Sequence, residues 1–368
     1  MIEMTTLKKI CEEFRFEGVL TECSPYGDGH INDTFLVVNK DKYEETVQYI
    51  LQRVNHIVFK ETEKLMSNIE NITSYLSDMV REDELEGGYE VLKLIRTNND
   101  NSYHKDLEGN YWRAYVFVKN ATGYTFAKDN TMLYSAGKAF GQFQLMLKDY
   151  PVDSLFETIK GFHHTENRYE NFLKVLEKDV HSRSKYCLDD IQFVKDRKNI
   201  TTMILKALEL GEIPYRVTHN DTKLNNVLID NDSGIGRCVI DLDTVMPGSA
   251  LYDFGDAIRS CGSTVAEDEE ELELLKLDTA RFDAYTNGFL EILKHELTQT
   301  EIELLPYSAI IMTFECGMRF LTDFLDGDNY FKVHKENHNL IRAKNQFRFV
   351  KEMENNLEVM IDIVNRYC

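Results

Sequence analysis

His219-Asn220-Asp221-Thr222-Lys223-Leu224-Asn225-Asn226, followed by the apolar run Val227-Leu228-Ile229, has the form H-x-D-x-x-x-x-N ahead of a β-rich stretch. In phosphoryl transfer an Asp accepts or orients the attacking hydroxyl, and an Asn five residues later turns an amide oxygen towards a metal on the nucleotide phosphates. Both duties need a rigid loop. The same residue types also fill an ordinary polar turn for backbone reasons alone. A second stretch separates the two readings. Arg237-Cys238-Val239-Ile240-Asp241-Leu242-Asp243-Thr244 is a β-like run delivering two carboxylates, with Asp241 20 residues after Asp221. Mg²⁺ is a hard ion that takes oxygen ligands and keeps several waters, so one carboxylate, one amide oxygen and nucleotide phosphates suit it. Asp241 and Asn226 are the candidate metal ligands. If the strand runs on, Asp243 shares the face of Asp241 and either adds a ligand or hydrogen-bonds one.

Asp253-Phe254-Gly255 spells the metal-binding tripeptide of protein kinases. It lies 32 residues after Asp221 and ends no apolar β-run, so Asp253 is assigned to capping the next helix and holding backbone N–H groups of the 219–226 loop. Near the N-terminus, Ser24-Pro25-Tyr26-Gly27-Asp28-Gly29-His30-Ile31-Asn32 joins two β-rich runs. Gly27, Gly29, His30 and Asn32 are the candidates for covering nucleotide phosphates, while two glycines alone equally suit a hairpin turn.

Working outward, Leu7, Ile10, Cys11 and Phe14 predict a short helix over 4–15. Val19–Tyr26, Thr34–Val38 and Val47–Val54 read as strands of a small antiparallel sheet. Leu65, Ile69, Ile72, Leu76 and Met79 fall on one face of a helix over 60–79, and further strands are expected at Val91–Arg96 and Trp112–Val118. After Lys119 helical spacing takes over, beginning with Leu133, Ala136, Phe140, Phe143 and Leu147 and recurring over 165–181, 189–210, 278–297, 300–326 and 340–366. The expected fold class is α+β in two lobes: a small nucleotide-binding sheet lobe over 1–119 and a larger, mainly helical lobe over 120–368 carrying catalysis and the acceptor.

Composition bounds the partners. With 368 residues, 43% hydrophobic and 29% charged, the chain has the material for real cores and no sign of disorder. Against 63 acidic residues stand 42 basic ones, a net charge of −21 that repels nucleic acid and acidic membrane surfaces, while a pocket can still bind an anion locally. Seven scattered cysteines without a C-x-x-C pair argue against a disulfide framework or zinc cluster and suit a reducing cytoplasm. No secretory leader or spanning segment is visible in the pattern.

Tyr26–Asn32 (Y-G-D-G-H-I-N), Val217–Asn226 (V-T-H-N-D-T-K-L-N-N), Ile240–Thr244 (I-D-L-D-T), Met246–Ser249 (M-P-G-S) and Glu315–Phe320 (E-C-G-M-R-F) occur in that order along nearly the whole chain. In these segments the chain resembles the aminoglycoside phosphotransferase and choline kinase superfamily, and within it the N-acetylhexosamine 1-kinases. The resemblance implies a two-lobed protein-kinase-like fold, ATP and Mg²⁺ as cofactors, and Asp221 as the residue acting on the acceptor hydroxyl. It also implies a sugar acceptor, N-acetylglucosamine or N-acetylgalactosamine, phosphorylated at the anomeric C1 hydroxyl to give the 1-phosphate and ADP. Arg319 is the leading acceptor-binding candidate with His30 and Thr244 beside it, set against an ordinary ion pair of Arg319 with Glu315.

One position departs from the wider superfamily, whose third strand carries a Lys or Arg towards the nucleotide phosphates. Gln52 stands there, and Arg53 belongs to the other face of the strand. Glu70, on the following helix, would partner such a cation by position only. The competing readings are a kinase for another small alcohol (homoserine, choline, methylthioribose or an aminoglycoside), a glycosyltransferase using Asp241-Leu242-Asp243 to hold a nucleotide-sugar diphosphate, and a kinase-like module that binds without catalysis.

Overall fold

The computed structural model describes residues 2–27, 31–82 and 88–368. Two compact units emerge: Met1–Ala121 with Asp153–Ile159 and Arg237–Met246, and Thr122–Val152 with Lys160–Gly236 and Pro247–Cys368.

In the first unit, helix α1 (Met4–Glu12) leads into strands β1 (Val19–Pro25), β2 (Asp33–Lys40) and β3 (Thr46–Val54). Helix α2 (Thr62–Glu82) follows, and then β4 (Leu94–Ile95), β5 (His104–Lys105) and β6 (Tyr111–Val116). The strands form one antiparallel sheet in the order β1-β2-β3-β6-β4, with β5 also on β6. Side chains alternate between faces. Phe35 and Val37 of β2, Tyr49 and Leu51 of β3, and Trp112 and Ala114 of β6 therefore share a face, and they bury against Leu7, Ile10, Cys11 and Phe14. Each large apolar side chain buried there contributes about 1.5–3 kcal/mol. The register that aligns these residues also sets Thr34 opposite Gln52 and Gln52 opposite Arg113 on the other face.

Helix α2 buries Leu65, Met66, Ile69, Ile72 and Leu76. From the same helix, Asn68 donates to the carbonyls of Phe156 (2.8 Å) and Val245 (3.2 Å) and accepts from the Phe156 amide (2.9 Å). One buried amide thus ties two later segments of chain into the first unit.

Two strand expectations change. Pairing near Val91–Arg96 is confined to Leu94–Ile95. The run Arg237–Leu242 leaves the strand after Val239; Asp241 turns left-handed (φ 62°, ψ 58°), and Leu242–Thr244 form a 3₁₀ turn. Asp241 and Asp243 therefore do not share a strand face: a positive φ, which Asp tolerates better than most residues, redirects the chain between them.

The second unit is helical: α3 (Asn130–Met146), α4 (Thr165–Lys178), α5 (Leu188–Asp196), α6 (Met203–Glu209), α7 (Ala250–Cys261), α8 (Thr279–Leu293), α9 (Gln299–Leu325), α10 (His338–Asn355) and α11 (Leu357–Tyr367). The pattern over 189–210 resolves into α5 and α6 with a 3₁₀ segment between. That over 340–366 breaks at Asn356, whose side chain donates to the Glu352 carbonyl (2.7 Å) and competes with the helix. Helix α9 starts in a capping box: Thr298 Oγ1 accepts from the Glu301 amide (3.1 Å) and the Glu301 carboxylate from the Thr298 amide (2.8 Å). Its stripe Ile310, Ile311, Phe314, Met318 and Leu321 is buried. Among the described residues no helix is long and apolar enough to cross a membrane.

Candidate active site

The 219–226 loop leaves the short strand Arg216–Thr218, and its backbone goes into a buried frame. Asn220 is left-handed (φ 64°), which an Asn adopts more readily than most residues. His219 is fully buried edge-on to Phe140 and Phe143, and its Nδ1 accepts from the Asp221 amide (3.3 Å). Asp221 itself is partly exposed. Asn226 Nδ2 donates to the Asp221 carbonyl (2.7 Å) and carboxylate (3.1 Å), which commits the amide nitrogen and leaves the oxygen as the end a cation would take. Lys223 Nζ lies 3.0 Å from Asp221 Oδ1, and the carboxylate raises the ammonium pKa. Lys223 stands inside the motif, yet the spacing argument assigned it no role.

Asp253 holds this loop from α7. Its buried carboxylate accepts from the amides of His219 (3.0 Å) and Asn220 (2.7 Å) and from Gln144 Nε2 (2.6 Å), and its carbonyl accepts from Thr222 Oγ1 (2.5 Å). Burial pushes the carboxyl up, against the opposing pull of His219 and these donors. Its expected role as helix cap is not observed: Ser249 caps α7, accepting from the Leu251 amide, and Asp253 sits in the first turn. Phe254 of the same tripeptide packs into a cluster with Phe282, Tyr285 and Phe289. One turn on, Asp256 accepts from the Thr222 amide (3.0 Å) and from Arg259 Nε (2.7 Å). Burial pushes Asp256 up, but Arg259 and Lys223 hold it lower overall. Gly248 in the M-P-G-S segment lies so close to Thr218 that a Cβ there would strike its hydroxyl.

A third support comes from α9. Glu315 is buried and meets His163 Nδ1 at 2.9 Å and Thr165 Oγ1 at 2.6 Å, while His163 Nε2 donates to the Asn220 carbonyl (3.2 Å). Glu315 is thereby spoken for, and the alternative ion pair between it and Arg319 is not made. The Arg319 guanidinium carbon instead lies 5.4–5.8 Å from the ring centres of Phe162, Tyr330 and Phe331. Among the described residues it makes no ion pair or hydrogen bond.

The second motif belongs to the first unit. Asp241 is exposed at its left-handed turn, while Asp243 and Thr244 are buried in the 3₁₀ turn behind it. Asp243 Oδ1 pairs with Arg113, both side chains almost fully buried, and Asp243 Oδ2 accepts from Asn32 Nδ2 (2.6 Å). Asn32 Oδ1 accepts from the Asn55 amide (2.9 Å), so this side-chain amide links the turn to the end of β3. Gln52 Oε1 accepts from Arg113 Nε (2.9 Å), and Gln52 Nε2 donates to Thr34 (3.1 Å). Arg53 pairs with Asp33 and Glu70 with Arg96, both part-exposed. Gly27 is exposed with φ 74°, while Gly29 and His30 lie outside the described residues. Arg113 was absent from the sequence reading; the available signal was one charged residue inside the apolar strand Tyr111-Trp112-Arg113-Ala114-Tyr115-Val116.

The chain matches the phosphotransferase enzyme family over residues 22–285. Among solved structures it is similar to an aminoglycoside 2'-phosphotransferase in its GDP complex, at 12% identity and TM-score 0.60, with 97% of this chain and 100% of that one covered. It is also similar to an amicoumacin kinase in complex with AMP-PNP, Ca²⁺ and Ami, at 13% identity and TM-score 0.58, covering 96% and 94%. An ethanolamine kinase from Plasmodium vivax matches at 14% identity and TM-score 0.51, covering 88% and 82%. These likenesses are of fold, and the fold is kinase-like: an antiparallel sheet in the N-terminal region and helices in the C-terminal one. With the family match running through both the 219–226 loop and the 237–244 run, the chain belongs to the phosphotransferase enzyme family.

Proposed function

We propose that this protein is an ATP-dependent N-acetylhexosamine 1-kinase, which moves the γ-phosphoryl group of ATP to the anomeric C1 hydroxyl of N-acetylglucosamine or N-acetylgalactosamine. The observation that carries the reading is Asp221: a part-exposed carboxylate on a loop whose neighbouring amides are held by Asp253 and whose own geometry is set by Asn226. It orients the acceptor hydroxyl and takes its proton as the bond to phosphorus forms. Lys223 places a positive charge 3.0 Å from that carboxylate.

Asp241 and Asn226 each offer an oxygen suited to Mg²⁺, and the bound ion would offset charge on the β- and γ-phosphates. Asp243 is given the supporting part, because Arg113 and Asn32 occupy its two oxygens. Gly27, Gly29, His30 and Asn32 are assigned to the segment over the nucleotide. Arg319, with His30 and Thr244, is assigned to the sugar: an unpaired guanidinium framed by aromatic rings offers donors to hydroxyls or an acetamide oxygen, and the rings offer apolar faces to the pyranose. The extended likeness of the Y-G-D-G-H-I-N and E-C-G-M-R-F segments is what narrows the acceptor to N-acetylhexosamines.

An ADP-release assay over a panel of N-acetylhexosamines, choline, ethanolamine, homoserine and aminoglycosides, with phosphorus NMR of the product, tests this. An anomeric sugar phosphate is expected; turnover on another alcohol alone, or a 6-phosphate, would replace the acceptor assignment.

A further inference from the structure

We propose that Arg113 is a positioning residue for the metal carboxylate: acting through Asp243, it fixes the 241–244 turn that presents Asp241. The inference rests on the phosphotransfer reading above.

The third strand lacks its cation, and the register shows where one stands instead. Gln52 on β3 faces Arg113 on β6 directly, on the sheet face opposite the apolar core. Cross-strand neighbours of this kind are within side-chain reach. The Arg113 guanidinium spends Nε on Gln52 Oε1 (2.9 Å) and Nη1 on Asp243 Oδ1, with the Tyr115 ring 5.4 Å from its central carbon. A Lys at position 52 would set a second cation against the same carboxylate. Gln52 instead accepts from the arginine and passes a hydrogen bond to Thr34. The departure at position 52 and the arginine at 113 are thus one arrangement.

Its target is the turn and not open solvent. Arg113 is 1% exposed and Asp243 3%, so the guanidinium does not stand free to meet a nucleotide. The other Asp243 oxygen is held by Asn32, itself fastened to the Asn55 amide at the end of β3. Two residues before Asp243, Asp241 occupies a backbone conformation that non-glycine residues visit sparsely, and such geometry persists where its surroundings over-determine it. Asp241 is exposed while the residue that anchors it is buried, the arrangement expected when one carboxylate binds and the other locates it. A buried ion pair is weak evidence for stability alone, since apolar residues of similar volume often do as well. Holding one conformation of a ligand-bearing turn gives this pair a function that packing would not.

The test compares the wild type with Arg113→Gln, Arg113→Lys, Asp243→Asn and the double variant Arg113→Gln/Asp243→Asn. Mn²⁺ binding in the presence of a non-hydrolysable ATP analogue is measured by calorimetry, the Mg²⁺ dependence of turnover by assay, and the melting temperature without ligands. Arg113→Gln is expected to weaken Mn²⁺ binding by about tenfold or more, in the range that loss of outer-shell partners usually costs. It should raise the half-saturating Mg²⁺ to a similar extent. The double variant should be no worse than the poorer single one, because both act through one contact. Arg113→Lys keeps the charge without the fork and should shift Mn²⁺ binding in the same direction; it serves where Arg113→Gln does not fold. Folded variants with lowered melting temperature but wild-type Mn²⁺ affinity would make the pair purely structural and overturn the inference. Effects of the two single substitutions that multiply in the double variant would overturn it as well. A wild type that binds no ATP analogue defeats the phosphotransfer reading, and this inference with it; binding by the wild type with unchanged variants defeats this inference alone.

Discussion

Asp221 draws its proposed role from what surrounds it more than from its own chemistry. Its amide rests on His219 Nδ1, its carbonyl and carboxylate on Asn226, and one oxygen faces Lys223. Asp221→Asn keeps the volume and removes the base, so kcat should fall by about a hundredfold or more while ATP affinity stays within about twofold. Steady-state kinetics with a separate nucleotide titration checks both; a variant within about tenfold of wild-type kcat would remove the assignment. At this scale the sequence was readable where a residue's neighbours in space are also its neighbours in the chain: Asp221 and Asn226 sit five positions apart and touch. It was unreadable where they are not. The partner of Arg113 lies 130 positions away and that of Glu315 152 positions away, and no local spacing encodes either contact. The strand face that Asp241 and Asp243 were expected to share failed for another reason: alternation assumed a strand that ends at Val239, ahead of the left-handed turn at Asp241.

Helix α9 reaches the 219–226 loop through Glu315 and His163, and the Glu315 carboxyl makes that link sensitive to pH. Burial pushes the Glu315 carboxyl up, but the hydrogen bond and charge of His163, with Thr165, hold it below the usual range. A folded pKa depressed in this way contributes stability above the unfolded value of about 4.3, and the contribution is lost as pH falls through the lower folded value. Glu315→Gln should therefore be less stable than wild type by about 2 kcal/mol near neutrality, with the gap closing as the pH drops below about 4. Urea midpoints between pH 3 and 7 would show it, and a gap constant across that range would contradict the assignment. The contact of α3 with α8 gives a second test. A Cβ at Gly288 would strike the Tyr134 carbonyl, and one at Gly137 the Tyr285 carbonyl. Alanine is favoured over glycine in a helix by about 1 kcal/mol, yet forcing two backbones apart costs about 1–3 kcal/mol. Gly288→Ala is expected to lower stability by about 1–2 kcal/mol net in denaturant unfolding; a gain would mean that the helices separate freely.

Across the whole chain, a net charge of −21 must receive an anionic nucleotide. Screening shortens from about 30 Å at 0.01 M salt to about 8 Å at 0.15 M, so the long-range repulsion fades over that range while close contacts persist. The association rate of a fluorescent ATP analogue should rise with salt by a factor of about two to five in stopped flow; a steady fall would point to a local basic funnel that overrides the global charge. The kinase-like architecture was legible because its signals repeat: period-two alternation through β2 and β3, and long 3.6-residue stripes such as that of α9. Helix α7 starts at Ala250, ahead of the place that the capping assignment of Asp253 gave it, because Ser249 takes the cap and leaves Asp253 inside the first turn.

The carboxylate of Asp253 fixes when the 219–226 loop is ordered. The amides of His219 and Asn220 donate to an acid group with no exposed surface, so their protons are shielded as those of a core helix are. In native-state hydrogen exchange they should persist until sub-global or global opening, unlike the rapid loss usual for surface loops. The conformational entropy of this loop is then surrendered when the chain folds and not when substrate arrives. Acceptor binding meets a loop already in place, and its affinity carries little of the ordering cost that a flexible loop would impose.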